Sequence, residues 1–219
     1  MKYTSRIDVL NSILGTRIVP IFSHSQANTV IQVIEACLAA ELPLLEFTNR
    51  AALALDTFTS VSRHFYEKKT PVLLGAGSVF DAATAAAYLN AGAAFIVSPI
   101  FDAEIASLCN QRKVAYMPGC NTPTEISRAE ESGVEIVKLF PASSFEPQFI
   151  KDIHGPMPWT RIMPTGGINP SNMKGWLDAG AACVGMGSSL ISKEHLANND
   201  FAALEKDLAE ARALAQKVS

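Results

Sequence analysis

The run Ile136-Val137-Lys138-Leu139-Phe140-Pro141 is apolar except for one lysine at its centre. Its length and its β-branched residues read as a buried strand. A lysine there is expensive, because desolvation disfavours the ammonium form and drives the amine toward neutrality. A neutral amine in a dry pocket attacks carbonyl carbon, the first requirement of Schiff-base chemistry.

Outward from this run, short apolar segments alternate with amphipathic ones along the whole chain. The pattern predicts strands at 18–22, 44–49, 72–78, 95–100, 115–119, 136–140, 161–165 and 183–187. Helices are predicted at 28–41, 51–69, 81–90, 102–112, 122–132, 144–153, 171–179 and 200–217, with a further helix at 5–15 ahead of the first strand. Asp81 suits a helix N-cap or first turn. Gly92, Gly133 and Gly180 stand where a helix ends and a strand begins, a place that favours the left-handed backbone glycine tolerates.

Helical crossovers between strands imply parallel pairing. Eight such units across the 219 residues fit a single α/β domain, 1–219, folded as a closed (β/α)8 TIM barrel with an extra N-terminal helix. An open doubly wound sheet is the alternative, but no Gly-x-Gly-x-x-Gly follows the first strand. In a barrel the chemistry belongs at the C-terminal ends of the strands.

Composition removes several classes of function. With 48% hydrophobic and 18% charged residues, disorder is not expected. The net charge of −3 carries no overall polyanion-binding signature, so nucleic acid is not an expected partner. No apolar run approaches the roughly 18 residues of a membrane span, and the N-terminus lacks the apolar core of a secretory signal. A cytoplasmic protein off the membrane is therefore expected. Cys37, Cys109, Cys120 and Cys183 are scattered singly and read as buried free thiols.

The strand ends carry Glu46, Thr48, Ser78, Ser98, Lys138, Thr165 and, just beyond the last strand, Ser188. Side chains alternate along a strand, so Leu44, Glu46 and Thr48 share one face, and Ile136, Lys138 and Phe140 share another. If both faces point into the barrel, Glu46 and Lys138 meet across its mouth. Burial would raise the carboxyl pKa and a nearby cation would lower it; either way Glu46 is a candidate proton shuttle. A buried ion pair without chemistry is the bland alternative.

The aspartates fall in helices or loops, and the histidines do not cluster with carboxylates, so no metal is expected. His24, just after the first strand, reads as a solvated loop residue. Two glycine-rich turns, Pro164-Thr165-Gly166-Gly167-Ile168 and Gly185-Met186-Gly187-Ser188-Ser189, follow the last two strands. Bare N–H groups there can converge on an anion, and barrels often bind phosphate at these loops. The glycines of Gly75-Ala76-Gly77-Ser78 read as aids to close packing. Arg50 is either a carboxylate clamp at the barrel mouth or a helix-surface residue.

With these motifs in order, the chain resembles the class I 2-keto-3-deoxy-6-phosphogluconate and 4-hydroxy-2-oxoglutarate aldolase family. The resemblance rests on Leu45-Glu46-Phe47-Thr48-Asn49-Arg50, Gly75-Ala76-Gly77-Ser78-Val79, Ser98-Pro99 and Pro118-Gly119-Cys120-Asn121-Thr122-Pro123-Thr124-Glu125. It continues through Val137-Lys138-Leu139-Phe140-Pro141-Ala142, Pro164-Thr165-Gly166-Gly167-Ile168 and Gly187-Ser188. It implies Lys138 as the Schiff-base residue and Glu46 as general acid and base. It implies Arg50 and Ser78 at the pyruvyl carboxylate, Pro99 among the substrate contacts, Phe140 beside the imine, and Thr165 acting on the stereochemistry of the new carbinol.

The resemblance also implies a homotrimer with no cofactor, a small phosphorylated 2-keto acid as substrate, and a place in the Entner-Doudoroff pathway. Asn49 stands where many relatives have leucine, Ser78 replaces the usual threonine, and Ser189 stands where some members carry a large aromatic. The alternatives keep the same chemistry on 4-hydroxy-2-oxoglutarate or on the 2-dehydro-3-deoxy-6-phosphogalactonate epimer. A phosphate-ligand barrel without lyase activity is the alternative from a different class.

Overall fold

The structure, a computed structural model, describes residues 5–217. Its strands are β1 (Ile18–Phe22), β2 (Leu44–Thr48), β3 (Leu73–Gly77), β4 (Phe95–Val97), β5 (Ala115–Met117), β6 (Val137–Leu139), β7 (Ile162–Pro164) and β8 (Val184–Met186). The helices are α1 (Arg6–Thr16), α2 (Ala27–Ala39), α3 (Ala54–Glu67), α4 (Ala82–Asn90), α5 (Ala103–Arg112) and α6 (Pro123–Glu131). They continue with α7 (Gln148–His154), α8 (Met173–Asp178), α9 (Lys193–Ala197) and α10 (Phe201–Gln216).

Six strands run in the order β5-β4-β3-β2-β1-β8, and β6 pairs with β7. All these pairs are parallel. Bridges Gly119 to Lys138 and Thr165 to Gly185 join the two sheets on both sides, which closes the ring. The result is a TIM-barrel-like α/β fold.

The period of two along each strand decides what lies inside. Leu44 and Ile136 enter an inner cluster with Val19, Phe95, Met117 and Met163. Their neighbours Leu45, Phe47, Val137 and Leu139 turn outward against the helical layer. Glu46 and Lys138 therefore point inward, one step above the apolar floor.

Helix α1 seals the floor. A capping box joins Ser5 and Asp8 at its start. Its Val9 and Ile13 are fully buried in the inner cluster. Arg6 ties it down by donating to the carbonyls of Val114 at 3.0 Å and Cys109 at 3.2 Å, and to Asn110 Oδ1 at 2.7 Å. A salt bridge to Glu135 at 3.2 Å adds to this. Water is shut out from below, so the interior opens only toward the strand C-termini.

Gly92, Gly133 and Gly180 have φ of 101°, 81° and 105°, the left-handed helix exits read from the chain. Several boundaries differ from expectation, some for evident local reasons. Helix α3 begins at Ala54 rather than near 51, because a turn intervenes in which Leu53 has φ 58°. The helix expected over 144–153 is a 3-10 turn, Ala142–Ser144, followed by α7; Pro147, lacking an N–H, stands just ahead of that helix. Strand β4 stops at Val97, two residues before Pro99, which has no N–H for a ladder. The short helix α9, N-capped by Ser192, lies between β8 and α10.

Substituting Ile13→Ala should lower the unfolding free energy by about 2–5 kcal/mol, the usual cost of emptying a closed apolar site. Urea titration measures it; a change within error would show that α1 does not plug the barrel.

Candidate active site

Glu46 on β2 and Lys138 on β6 meet inside the ring. Lys138 Nζ lies 3.7 Å from Glu46 Oε1, and their side chains are 6% and 1% exposed. Glu46 Oε2 is buried too, with no hydrogen-bond partner among the described residues. A carboxylate with a free lone pair beside an amine can pass a proton to and from a third group.

The carboxylate fits only because position 77 on β3 is glycine. A Cβ there would stand 2.0 Å from Glu46 Oε1 and 2.6 Å from its Cδ. Gly75 likewise makes room for the Phe95 ring. The two glycines expected to permit close packing do so, and one of them packs against the acid itself.

Phe140 follows Lys138 by two residues, and its ring centroid is 5.1 Å from Nζ. The main chain of Phe140 is gripped on both sides by Asn121: its N–H donates to Asn121 Oδ1 at 3.2 Å, and Asn121 Nδ2 donates to its carbonyl at 2.8 Å. Asn121 is anchored in turn by Glu125, whose Oε2 accepts from the Asn121 N–H at 2.8 Å and the Thr122 hydroxyl at 2.9 Å. The Asn121 N–H is the main reason the Glu125 carboxyl lies below its ordinary pKa. This brace was missed at the sequence level. The only signal was an amide side chain in the turn Gly119-Cys120-Asn121, where an Asn commonly bonds backbone.

A cleft of about 420 Å³ opens beside the pair. Among its lining residues are Arg50, Phe140, Thr165, Gly166, Gly167, Gly187 and Ser188, each singled out from the sequence. Ile21, Ile168, Asn169, Gly185 and Ser189 also line it. Gly166 and Gly167 have φ of 89° and 83°, so both glycines are required by the turn itself. Thr165 is buried, and its Oγ1 approaches Gly185 so closely that a Cβ there would lie 2.3 Å from it.

Arg50 precedes α3 instead of lying on it, which removes the helix-surface reading. Its Nε donates to Ser78 Oγ at 3.0 Å, so the two proposed carboxylate contacts are already joined. Pro99, like Glu46, Ser78 and Lys138, is not among the residues lining the cleft; its carbonyl abuts Gly119, where a Cβ would come within 1.9 Å of the oxygen. Asn49 accepts from the buried Tyr88 hydroxyl at 3.0 Å. His24 is exposed, with Nδ1 accepting from the Gln26 N–H at 3.1 Å.

The four cysteines are free and buried, and burial pushes each thiol up to about 12, so they stay protonated near neutral pH. Among the described residues no group of three or more His, Cys, Asp or Glu side chains could hold a metal ion. No described helix is long and apolar enough to cross a membrane.

Known proteins are similar to this chain over most of its length. The sequence profile described as "Aldolase: KDPG and KHG aldolase" matches residues 9–207. The 2-dehydro-3-deoxy-phosphogluconate aldolase of Pseudomonas aeruginosa is 33% identical over 205 residues, 93% of this chain and 90% of that one. The 2-keto-3-deoxy-6-phosphogluconate aldolase of Zymomonas mobilis, solved with 3-phosphoglycerate, superposes with a TM-score of 0.82 at 25% identity, covering 94% of this chain and 95% of that one. A KDPG aldolase from Legionella pneumophila, with pyruvate captured as a covalent carbinolamine, superposes with a TM-score of 0.80 at 26% identity, covering 99% and 98%. A lysine and a carboxylate closed off together inside a ring of parallel strands, and matches that span nearly the whole chain, lead to one assignment: this chain belongs to the KDPG and KHG aldolase family of class I, Schiff-base carbon-carbon lyases.

Proposed function

We propose that the chain cleaves 2-dehydro-3-deoxy-6-phosphogluconate to pyruvate and glyceraldehyde 3-phosphate. The observation that carries this reading is the dry Lys138–Glu46 contact close to a cleft lined by the Gly166–Gly167 turn. Lys138 Nζ adds to the C2 ketone, and loss of water leaves a protonated imine. Glu46 takes the proton of the C4 hydroxyl as the C3–C4 bond breaks. The bonding pair flows into the imine, giving an enamine of pyruvate, and the aldehyde leaves. Protonation at C3 and addition of water release pyruvate and restore the amine.

Arg50, whose Nε donates to Ser78 Oγ, takes the pyruvyl carboxylate in this reading. Phe140 shields the imine, and Thr165 bears on the face of the aldehyde. Gly166, Gly167, Gly187 and Ser188 offer main-chain N–H groups to the phosphate. Pro99 is assigned no direct contact. One barrel domain over 1–219, working as a cytoplasmic homotrimer in the Entner-Doudoroff pathway, completes the proposal.

The same machinery would serve 4-hydroxy-2-oxoglutarate or the phosphogalactonate epimer. Steady-state rates on the two epimeric phosphorylated acids and the unphosphorylated diacid decide among them. The proposal expects the phosphogluconate-derived acid to have the highest kcat/KM.

Pyruvate with borohydride should leave a stable adduct that maps to Lys138, and Lys138→Ala should abolish both adduct and turnover. An unmodified wild-type mass would reject the lyase in favour of a phosphate-ligand barrel. Glu46→Gln should lower kcat by roughly 10²–10⁴, the range for a lost proton shuttle. Gly77→Ala, which drives a methyl into the carboxylate, should lower kcat toward the same level. The double variant should be little worse than Glu46→Gln alone, as expected for contacting residues; additive losses would show that Gly77 acts elsewhere.

A further inference from the structure

We infer that Asn172 and Ser189 are positioning residues that lock the Gly167-Ile168-Asn169 turn in an anion-accepting orientation and so set the preference for a phosphorylated over an unphosphorylated 2-keto acid. This rests on the phosphorylated-substrate reading above.

Two consecutive glycines leave the turn free to flip its peptides, since neither carries a Cβ to forbid the alternative. Side chains remove that freedom. Asn172 Nδ2 donates to the Gly167 carbonyl at 2.9 Å, and Asn172 Oδ1 accepts from the Asn169 N–H at 2.9 Å. One amide thus grips two successive peptides. Ser189, arriving from the turn after β8, donates its hydroxyl to the Ile168 carbonyl at 2.6 Å. The Ile168–Asn169 peptide is therefore held at both its oxygen and its N–H.

Asn172 is itself fixed. Asn169 Oδ1 accepts from the N–H groups of Ser171 at 2.9 Å and Asn172 at 3.0 Å, and from the Ser171 hydroxyl at 2.6 Å.

The geometry gives this brace a direction. In a trans peptide the carbonyl and the following N–H point opposite ways. Asn172 does not line the catalytic cleft; it lines a second cavity of about 270 Å³ behind the turn, with Ser143, Gly167 and Trp176. Drawing the Gly167 carbonyl back toward Asn172 turns the Ile168 N–H forward to the cleft. An N–H held ready for an oxyanion costs no reorganisation when the ligand arrives, and hydrogen bonds to charged groups are the strong ones. The turn lines the cleft where the phosphate is proposed to bind, so its orientation bears on the phosphate.

The test compares wild type, Asn172→Ala and Ser189→Ala in three assays: inhibition by inorganic phosphate, KM for the phosphorylated acid against the unphosphorylated diacid, and pyruvate trapping by borohydride. Each variant should weaken phosphate inhibition and raise KM for the phosphorylated acid by roughly tenfold, the worth of one hydrogen bond to a charged group. For Asn172→Ala, which lies outside the cleft, pyruvate trapping and kcat for the diacid should stay close to wild type. Equal losses on both substrates, or unchanged phosphate inhibition in both variants, would overturn the inference. Failure of the parent reading looks different: the wild type itself would be insensitive to phosphate and show no preference for the phosphorylated acid, and the inference would fall with it.

Discussion

A basic and an acidic side chain in contact inside a closed ring of strands set the terms for the rest of the molecule. Removing one partner of such a pair leaves an uncompensated buried charge, a loss of roughly 3–5 kcal/mol. The fold tolerates the pair because everything around it is arranged to keep it together and dry. Gly77 yields the volume that the Glu46 carboxylate occupies. The apolar layer containing Leu44 and Ile136 lies directly beneath, and α1 closes the end below that. What would be a liability in a structural core becomes reactivity where the ring opens to the cleft.

The site is held by backbone more than by side-chain packing. Bridges at Gly119–Lys138 and Thr165–Gly185 are the seams where the two sheets join, and both lie at the site. Lys138 donates its N–H to the Pro118 carbonyl at 2.8 Å and accepts from the Cys120 N–H at 2.8 Å. Two asparagines then finish what the strands leave loose. Asn121 fixes the peptide that carries the Phe140 ring, and Asn172 fixes the glycine turn that lines the cleft. Short amide side chains suit this work, since each offers a donor and an acceptor in one rigid plane.

Much of this was legible in the chain. The alternation of strand and helix read as a barrel, and the period of two grouped Glu46 with Leu44 and Lys138 with Ile136, the faces that the structure turns inward. The glycines at 92, 133 and 180 marked true helix exits. Less legible were the boundaries: β4, β5, β6, β7 and β8 are three residues each, shorter than their apolar runs, because ladder bonds end before hydrophobicity does. Asn121 and Asn172 were invisible as functional residues, because their partners are main-chain groups, which carry no side-chain signature. Pro99 came from the family resemblance, and it lies outside the residues that line the cleft.

Imine formation removes the C2 oxygen of a 2-oxo acid, so it can be followed without any aldehyde at all. Pyruvate incubated with the protein in oxygen-18 water, and analysed by mass spectrometry, reports that step directly. The wild type should exchange the ketone oxygen far faster than the uncatalysed rate, and Lys138→Ala should return exchange to that rate. Exchange that persists undiminished without Lys138, or is absent with it, would contradict the central claim.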